Sequence, residues 1–227
     1  MCGRFAISHI PGFFSRFMIH DSKIEIEPRY NIAPTQDVPV VISGSENKVV
    51  MMRWGLVPFW AKDPKIGNRL INARAETIAT SPAFRASVKK RRCLVPATGF
   101  YEWRKGGGRK KTPYYCHLKD DSLFAFAGVY DRWRSPDDTD LFTFTIVTTS
   151  PNALTSRLHN RMPVILRRKD EADWIGPGLL GQNDIKRIAA PYPASEMEIY
   201  PVSSLVGNPR NESEEFVKPL GASTLTL

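Results

Sequence analysis

A cysteine directly behind the initiator methionine is the most reactive position this chain offers. Cys2 is small enough for Met1 to be removed, which would leave an α-amine and a thiol on adjacent carbons. Such a 1,2-aminothiol condenses with an aldehyde to an imine, and the thiol then closes a five-membered thiazolidine ring. The amine suits the first step, because its pKa of about 8 leaves a neutral fraction at pH 7 that lysine, near about 10.4, lacks. Neighbouring cations are expected to lower the thiol from its ordinary value of about 8.5 for the second step. Gly3 leaves room for close approach, and Arg4 is placed to hold an anion beside the nucleophile. The competing reading is a small residue at a frayed terminus.

Three further polar positions stand where a site, rather than a core, is expected. Asn72, Arg74 and Glu76 alternate with Ala73 and Ala75, so an extended strand would put the three polar side chains on one face. Glu102 is the lone carboxylate of Gly99-Phe100-Tyr101-Glu102-Trp103, where apolar neighbours should desolvate it and raise its pKa. Its alternative is a simple ion pair with a nearby arginine. His159, in Leu158-His159-Asn160-Arg161-Met162-Pro163, lies at a helix-to-strand junction, with an ordinary structural histidine as the alternative. Cys93 and Cys116 fall in apolar strand patterns with no adjacent amine, so neither is expected to be the nucleophile.

The elements that must position these residues are short. A helix is expected between His9 and Ile19, with Phe13, Phe14, Phe17 and Met18 on one side. Prolines extend the segment from Glu27 to Pro34. Val38 to Ile42 and Lys48 to Trp54 read as a hairpin, and Trp54 to Trp60 as an irregular apolar loop, its aromatics suited either to core packing or to stacking on bases. Ser81-Pro82 should start a helix running to about Lys90. Arg92 to Arg104 and Thr112 to Leu118 read as strands around a Gly106-Gly107-Gly108 turn, followed by strands Leu123–Trp133 and Leu141–Thr149. A short helix from Ser150-Pro151 towards Leu158, a strand Met162–Leu166, helices at Asp170–Trp174 and Asp184–Ala189, and a last strand near Met197–Val202 complete the body. The stretch from Asn208 onward reads as surface. The expectation is one α+β domain over residues 1–220, with a mixed, strongly coiled, barrel-like sheet, short flanking helices and a tail over 221–227.

At 227 residues, 42% hydrophobic and 24% charged, the chain can bury a core without staples. Three cysteines without CxxC spacing argue against a disulfide framework or a metal site and for a reducing, cytoplasmic setting; no cofactor is expected. There is neither a secretory-signal pattern nor a membrane-length apolar run, and a monomer is expected. The net charge of +9 suits a polyanion. Lys89, Lys90, Arg91, Arg92, Arg104, Lys105, Arg109, Lys110 and Lys111 crowd the middle of the chain, interleaved with Phe100, Tyr101 and Trp103. Cations follow phosphates and aromatic faces stack on bases, so this mixture favours single-stranded nucleic acid.

In order along the chain, Met1-Cys2-Gly3-Arg4-Phe5, Pro28-Arg29-Tyr30-Asn31-Ile32-Ala33-Pro34-Thr35, Arg53-Trp54-Gly55-Leu56-Val57-Pro58, Asn72-Ala73-Arg74-Ala75-Glu76-Thr77, Arg92-Cys93-Leu94-Val95-Pro96, Gly99-Phe100-Tyr101-Glu102-Trp103 and His159-Asn160-Arg161-Met162-Pro163 resemble the SRAP domain, the SOS response-associated peptidase family. The resemblance implies a sensor of abasic sites in single-stranded DNA that becomes covalently attached to the lesion. It assigns amine and thiol to Cys2, orientation to Asn72, proton movement to Glu102 and opening of the sugar to His159. By the same resemblance Arg4, Arg74, Thr148 and Arg161 contact the DNA backbone, and Pro34, Trp54 and Trp103 pack against bases. A lyase side reaction could follow from the imine. The rival implied by the family's name is an N-terminal cysteine peptidase acting on its own Met1.

Overall fold

The computed structural model describes residues 2–20, 22–44, 46–105 and 111–221. Met1, the expected Gly106-Gly107-Gly108 turn, Arg109, Lys110 and the tail from residue 222 lie outside the described residues.

Two sheets share one core. Strands β1 (Phe5–Ile7), β2 (Arg29–Ile32), β7 (Gly99–Lys105), β8 (Lys111–Leu118) and β12 (Met197–Pro201) form a sheet in the order β12-β8-β7-β1-β2. The second contains β3 (Asp37–Ile42), β4 (Lys48–Trp54), β6 (Arg92–Ala97), β9 (Phe124–Arg134), β10 (Asp140–Thr149) and β11 (Met162–Pro163), in the order β11-β10-β4-β3-β6-β9. Because β10 also pairs with β9, the strands β10-β4-β3-β6-β9 close into a barrel. Pairing is antiparallel except where β10 runs parallel to β4 and to β5 (Asn72–Arg74), so the sheet is mixed. The helices are short: α1 (Phe13–Arg16), α2 (Arg85–Lys90), α3 (Arg168–Ile175) and α4 (Gln182–Ile188).

The apolar runs Val38–Ile42 and Lys48–Trp54 do produce a hairpin, in register from Asp37 opposite Arg53 to Ile42 opposite Lys48. The expected continuous strand from Arg92 to Arg104 is instead divided. Thr98 separates β6, in the barrel, from β7, in the other sheet, and its hydroxyl accepts from the Ser8 amide while its own amide donates to Ala6 O. Gly99 is required next to it, since a Cβ there would lie 2.3 Å from the Tyr115 ring.

Three expected helices are shorter than their patterns. The first is a single turn that buries Phe13 and Phe17, and Met18 breaks it with φ 53° and an exposed side chain. α2 begins only at Arg85, because the Ser81-Pro82 start resolves into turns. After Ser150-Pro151 the Asn152 carboxamide takes the amides of Leu154 and Thr155, leaving one 3₁₀ turn at Thr155–Arg157. Of the strand expected over Met162–Leu166, only Met162–Pro163 joins the ladder, with an isolated bridge from Ile165 to Phe126.

The stretch after Asn208 is no loose surface up to residue 221. It lies on the outer face of the five-stranded sheet, where Val206 and Phe216 are buried against Tyr101 and Tyr115. Asn31 donates to the carbonyls of Asn208 and Asn211 at 2.9 and 2.7 Å, and the Tyr200 hydroxyl donates to Val217 O.

Strand β10 orders the residues of interest along one line: Thr143 faces Arg53, Ile146 faces Asn72, and Thr148 faces Arg74 and Pro163. The loop after β4 is held against this line by two glycines. Gly55 has φ 125°, and a Cβ on it would come within 2.6 Å of the Gly67 carbonyl. That contact seats residues 64–71 and thereby the start of β5.

Candidate active site and nucleic-acid interface

Cys2 is fully buried just ahead of β1, and Asn72 holds it. The Asn72 carboxamide nitrogen donates to the Cys2 carbonyl at 2.7 Å, while its Oδ1 is buried and accepts no hydrogen bond among the described residues. Glu102 projects from β7 and is 4% exposed. Burial pushes its carboxyl above the usual carboxylate range. The expectation that cations would lower the Cys2 thiol is overturned. Burial pushes it well up, and the negative charge of Glu102 adds to the effect. Cys116 is raised in the same way, by burial first, then by Glu102 and Cys2, so its thiol shares the electrostatic environment of the pair. In this arrangement the thiol is a protonated, weakly acidic group whose electrostatic surroundings include the Glu102 carboxyl.

Trp54 does not offer a platform. It is 0% exposed, with its ring edge-on to Phe5 at 5.2 Å and stacked on Phe144 at 6.4 Å. Its indole nitrogen donates to Ile71 O at 2.9 Å. Trp54 therefore ties β1, which carries the N-terminal segment, to the residue preceding Asn72. Arg4 is likewise no exposed phosphate ligand. Its guanidinium is buried, donates to Asn31 Oδ1 at 2.6 Å and to Val206 O at 2.7 Å, and sits over the Trp103 ring. Thr148 is fully buried too, its hydroxyl directed to Ala73 O. These three side chains brace the site from behind.

Arg74 is exposed and has no carboxylate within ion-pair distance among the described residues. Arg161 is more constrained. It donates through both terminal nitrogens to Glu76, at 2.6 and 2.9 Å, and to Thr148 O at 2.6 Å. This fork holds the Glu76 carboxyl below its usual value. Glu76 lies beyond the end of β5, in a turn, so the alternation read from sequence extends only through Arg74. His159 is half-buried. Its Nδ1 accepts from the Arg161 amide at 3.1 Å, which leaves the proton of the neutral ring on Nε2. Arg161 and Thr148 thus link His159 to the end of β10 next to Arg74. Pro34 and Trp103 remain partly exposed.

The exposed aromatics of the Trp54–Trp60 stretch are its last two, Phe59 (59%) and Trp60 (49%), which sequence reasoning left undivided from Trp54. The Pro58-Phe59-Trp60 end of the loop could have been separated by its polar continuation, Lys62-Asp63-Pro64-Lys65. The basic cluster also divides. Arg92 is buried and donates to the carbonyls of Val88, Trp174, Gly176 and Gly178, closing the C-terminal ends of α2 and α3. Arg91 pairs with buried Asp131, whereas Arg85, Lys89 and Lys90 stay exposed. Among the described residues no His/Cys/Asp/Glu group is arranged to hold a metal ion, and no helix is long and apolar enough to cross a membrane.

The sequence profile of the family described as "SOS response associated peptidase (SRAP)" matches residues 1–209. A Bacillus subtilis protein named abasic site processing protein YoqW is 43% identical over 222 residues, covering 96% of this chain and 99% of its own. The Xenopus tropicalis abasic site processing protein HMCES is 30% identical and aligns over 83% of this chain and 65% of its own. Among solved structures, a Bacteroides thetaiotaomicron protein superposes with a TM-score of 0.87 at 30% identity, over 96% of this chain and all of its own.

Proposed function

The chain belongs to the SOS response-associated peptidase family, and on that premise we propose that it processes abasic sites in single-stranded DNA by capturing them covalently through Cys2. The relatives' shared name, abasic site processing protein, supports the substrate. The observation that carries the chemistry is the Asn72–Cys2–Glu102 grouping. One carboxamide grips the Cys2 carbonyl and keeps an acceptor that is buried and unpaired among the described residues, while the thiol feels a carboxyl itself raised by burial.

With Met1 removed, the Cys2 amine adds to C1′ of the ring-opened deoxyribose. Asn72 Oδ1 accepts one amine hydrogen and aims the lone pair at the aldehyde. Glu102, raised towards neutrality, delivers a proton to the carbinolamine hydroxyl, which leaves as water and yields the imine. The thiol sulfur then adds to the imine carbon. Its proton goes to Glu102, by then a carboxylate, while the nitrogen of the protonated imine keeps its own, closing the thiazolidine with no net change in protons. A thiol raised by burial fits this order, since it need not be a thiolate before the imine forms. His159, set beside Arg161 and Arg74 at the end of β10, assists opening of the sugar. Arg74 and Arg161 hold phosphates, while Pro34, Trp103, Phe59 and Trp60 supply faces for flanking bases, each stack worth about 1–3 kcal/mol. β-Elimination from the imine is the lyase side reaction that this chemistry permits.

A thiolate peptidase is the poorer reading, because burial and Glu102 both hold the Cys2 thiol protonated. Intact mass of the protein after mixing with abasic single-stranded DNA tests the proposal. The expected product is one denaturation-resistant adduct per chain, absent when Cys2 is replaced by Ala or preceded by an extra residue. The same adduct from a mass-verified, N-terminally extended protein would sink the mechanism.

A further inference from the structure

Beyond the site lies a cleft whose cations the chemistry above leaves unused. The cleft, of about 550 Å³, is walled by Phe59 on one side and by Arg85, Lys89, Lys90 and Arg91 of the α2 region on the other. No acidic side chain lines it, and among the described residues Arg85, Lys89 and Lys90 have no carboxylate within ion-pair distance. Its two walls are fixed to each other. Asp131, 2% exposed, accepts from the Phe59 amide at 3.1 Å and from the Ser87 hydroxyl at 3.4 Å, and pairs with Arg91 at 3.1 Å. One buried carboxylate thus neutralises Arg91 and leaves three unpaired cations facing an exposed ring.

The position relative to Asn72 follows from β10. Asp131 is paired with Thr143 across the β9–β10 ladder, three residues before Ile146, the partner of Asn72. At about 3.3 Å per residue, the cleft begins about 10 Å from the Asn72 level. An extended single strand, whose phosphates stand farther apart than the ~3.4 Å rise per strand of the stacked duplex, spans that distance in fewer than three nucleotides. Arg74 and Arg161 lie in the opposite direction along the same strand, near Thr148.

We propose that the Phe59–α2 cleft is a second, non-covalent contact for the same single strand, taking its phosphates from within about three nucleotides of the captured lesion on Lys89, Lys90 and Arg85. The inference rests on the reading of Cys2 as the capture residue for abasic single-stranded DNA. A strand is favoured over a protein partner because separated cations beside one aromatic face match a phosphate backbone with bases, and Phe59 and Ala86 are the only apolar side chains lining the cleft among the described residues. With the strand held on both sides of the lesion, the abasic sugar is presented at Asn72 rather than left at a free end.

The experiment compares salt-dependent binding of wild type, Lys89→Ala/Lys90→Ala and a charge-matched control, Lys169→Ala/Lys186→Ala, whose lysines are exposed elsewhere. The probes are abasic single strands with about ten nucleotides on each side, or trimmed to about one on one side or the other. Thermal unfolding checks that each variant is folded. On the long strand the cleft variant should show a slope of log K against log salt that is shallower by about 1.4, from about 0.7 per phosphate. Trimming one particular flank should remove the difference from wild type, and trimming the other should not. An unchanged slope in the cleft variant overturns the inference, as does an equal loss in the control or loss of the difference on trimming either flank. Failure of wild-type protein to bind or crosslink the long strand would instead defeat the function on which the inference rests.

Discussion

Replacing Glu102 by Gln separates what this carboxyl does for chemistry from what it costs the fold. The carboxyl is 4% exposed, and its ionised form is penalised by burial. A group whose folded pKa is raised contributes stability that is fully present below its unfolded value of about 4.3 and is lost as pH rises through the folded pKa. Wild-type protein should therefore lose stability across that interval, and Glu102→Gln, which cannot ionise, should not. The effective penalty for a buried ion is several kcal/mol before its hydrogen bonds offset part of it. A net stabilisation on the order of 1 kcal/mol is expected at pH 8, which for a chain of this size raises Tm by about 2–4 °C. It should vanish near pH 4. Crosslinking at saturating DNA should slow by about 10²–10⁴-fold, or about 3–5 kcal/mol on the barrier, while binding of the abasic strand changes little. Calorimetric melting from pH 4 to 8, with single-turnover adduct formation followed by denaturing gel, reads both. A Glu102→Gln protein that melts lower than wild type at pH 8 would show that the ionised carboxylate is a structural partner and that the proton-transfer argument starts from the wrong charge state.

Three other substitutions discriminate between bracing and contact. Glu76→Gln should tighten binding of single-stranded DNA by about two- to fivefold, because it frees Arg161 from a half-exposed fork worth about 0.2–1 kcal/mol; weaker binding would mean that the fork orients Arg161 for its phosphate. The Glu76 carboxyl is depressed, so the stability it contributes is present above about pH 4.3 and disappears as pH falls through its folded value, a loss that Glu76→Gln should not show in acid melts. Trp54→Phe should destabilise by about 1–3 kcal/mol through the unmet Ile71 carbonyl, with DNA affinity following stability; a normal Tm with weakened binding would return the ring to the bases. Arg4→Leu should lower Tm and loosen the 204–217 segment to proteolysis without changing the salt slope of DNA binding, whereas a slope shallower by about 0.7 would reinstate Arg4 as a phosphate ligand.

Much of the barrel was legible because it is built from local patterns. Apolar, β-branched and aromatic runs bounded by turn residues marked β3, β4, β9 and β10, and apolar spacing or Ser-Pro starts marked the helices, though their lengths failed where Asn152 and Met18 redirected the backbone. The divide at Thr98 was not legible. It depends on Ser8 and Ala6, some ninety residues earlier, drawing the chain into another sheet. The same limit applies to Phe216, whose lone aromatic character in a polar stretch was the only local sign that the segment after Asn208 is docked.

For the site, sequence reasoning found residue types and missed directions. Cys2, Asn72 and Glu102 could be singled out because a reactive pair, a polar alternation and a carboxylate among aromatics are chemically odd in any fold. Arg4, Trp54 and Thr148 belong to equally suggestive stretches, yet each is buried. An arginine or tryptophan reads the same whether it faces a phosphate, a base or the back of the site. What decides is pairing at long range: Trp54 lies between Phe5 and Phe144, and Arg4 between Asn31 and Val206. Those contacts give the buried residues a common purpose. The proposed nucleophile sits on the second residue of the sequence, where fraying would otherwise cost it all geometry. Arg4 fastens the N-terminal segment to β2 and the C-terminal arm, Trp54 fastens β1 to the start of β5, and Asn72 closes the loop by gripping Cys2 itself. The side chains that resemble ligands by sequence are the ones that hold in place the segment carrying the proposed nucleophile.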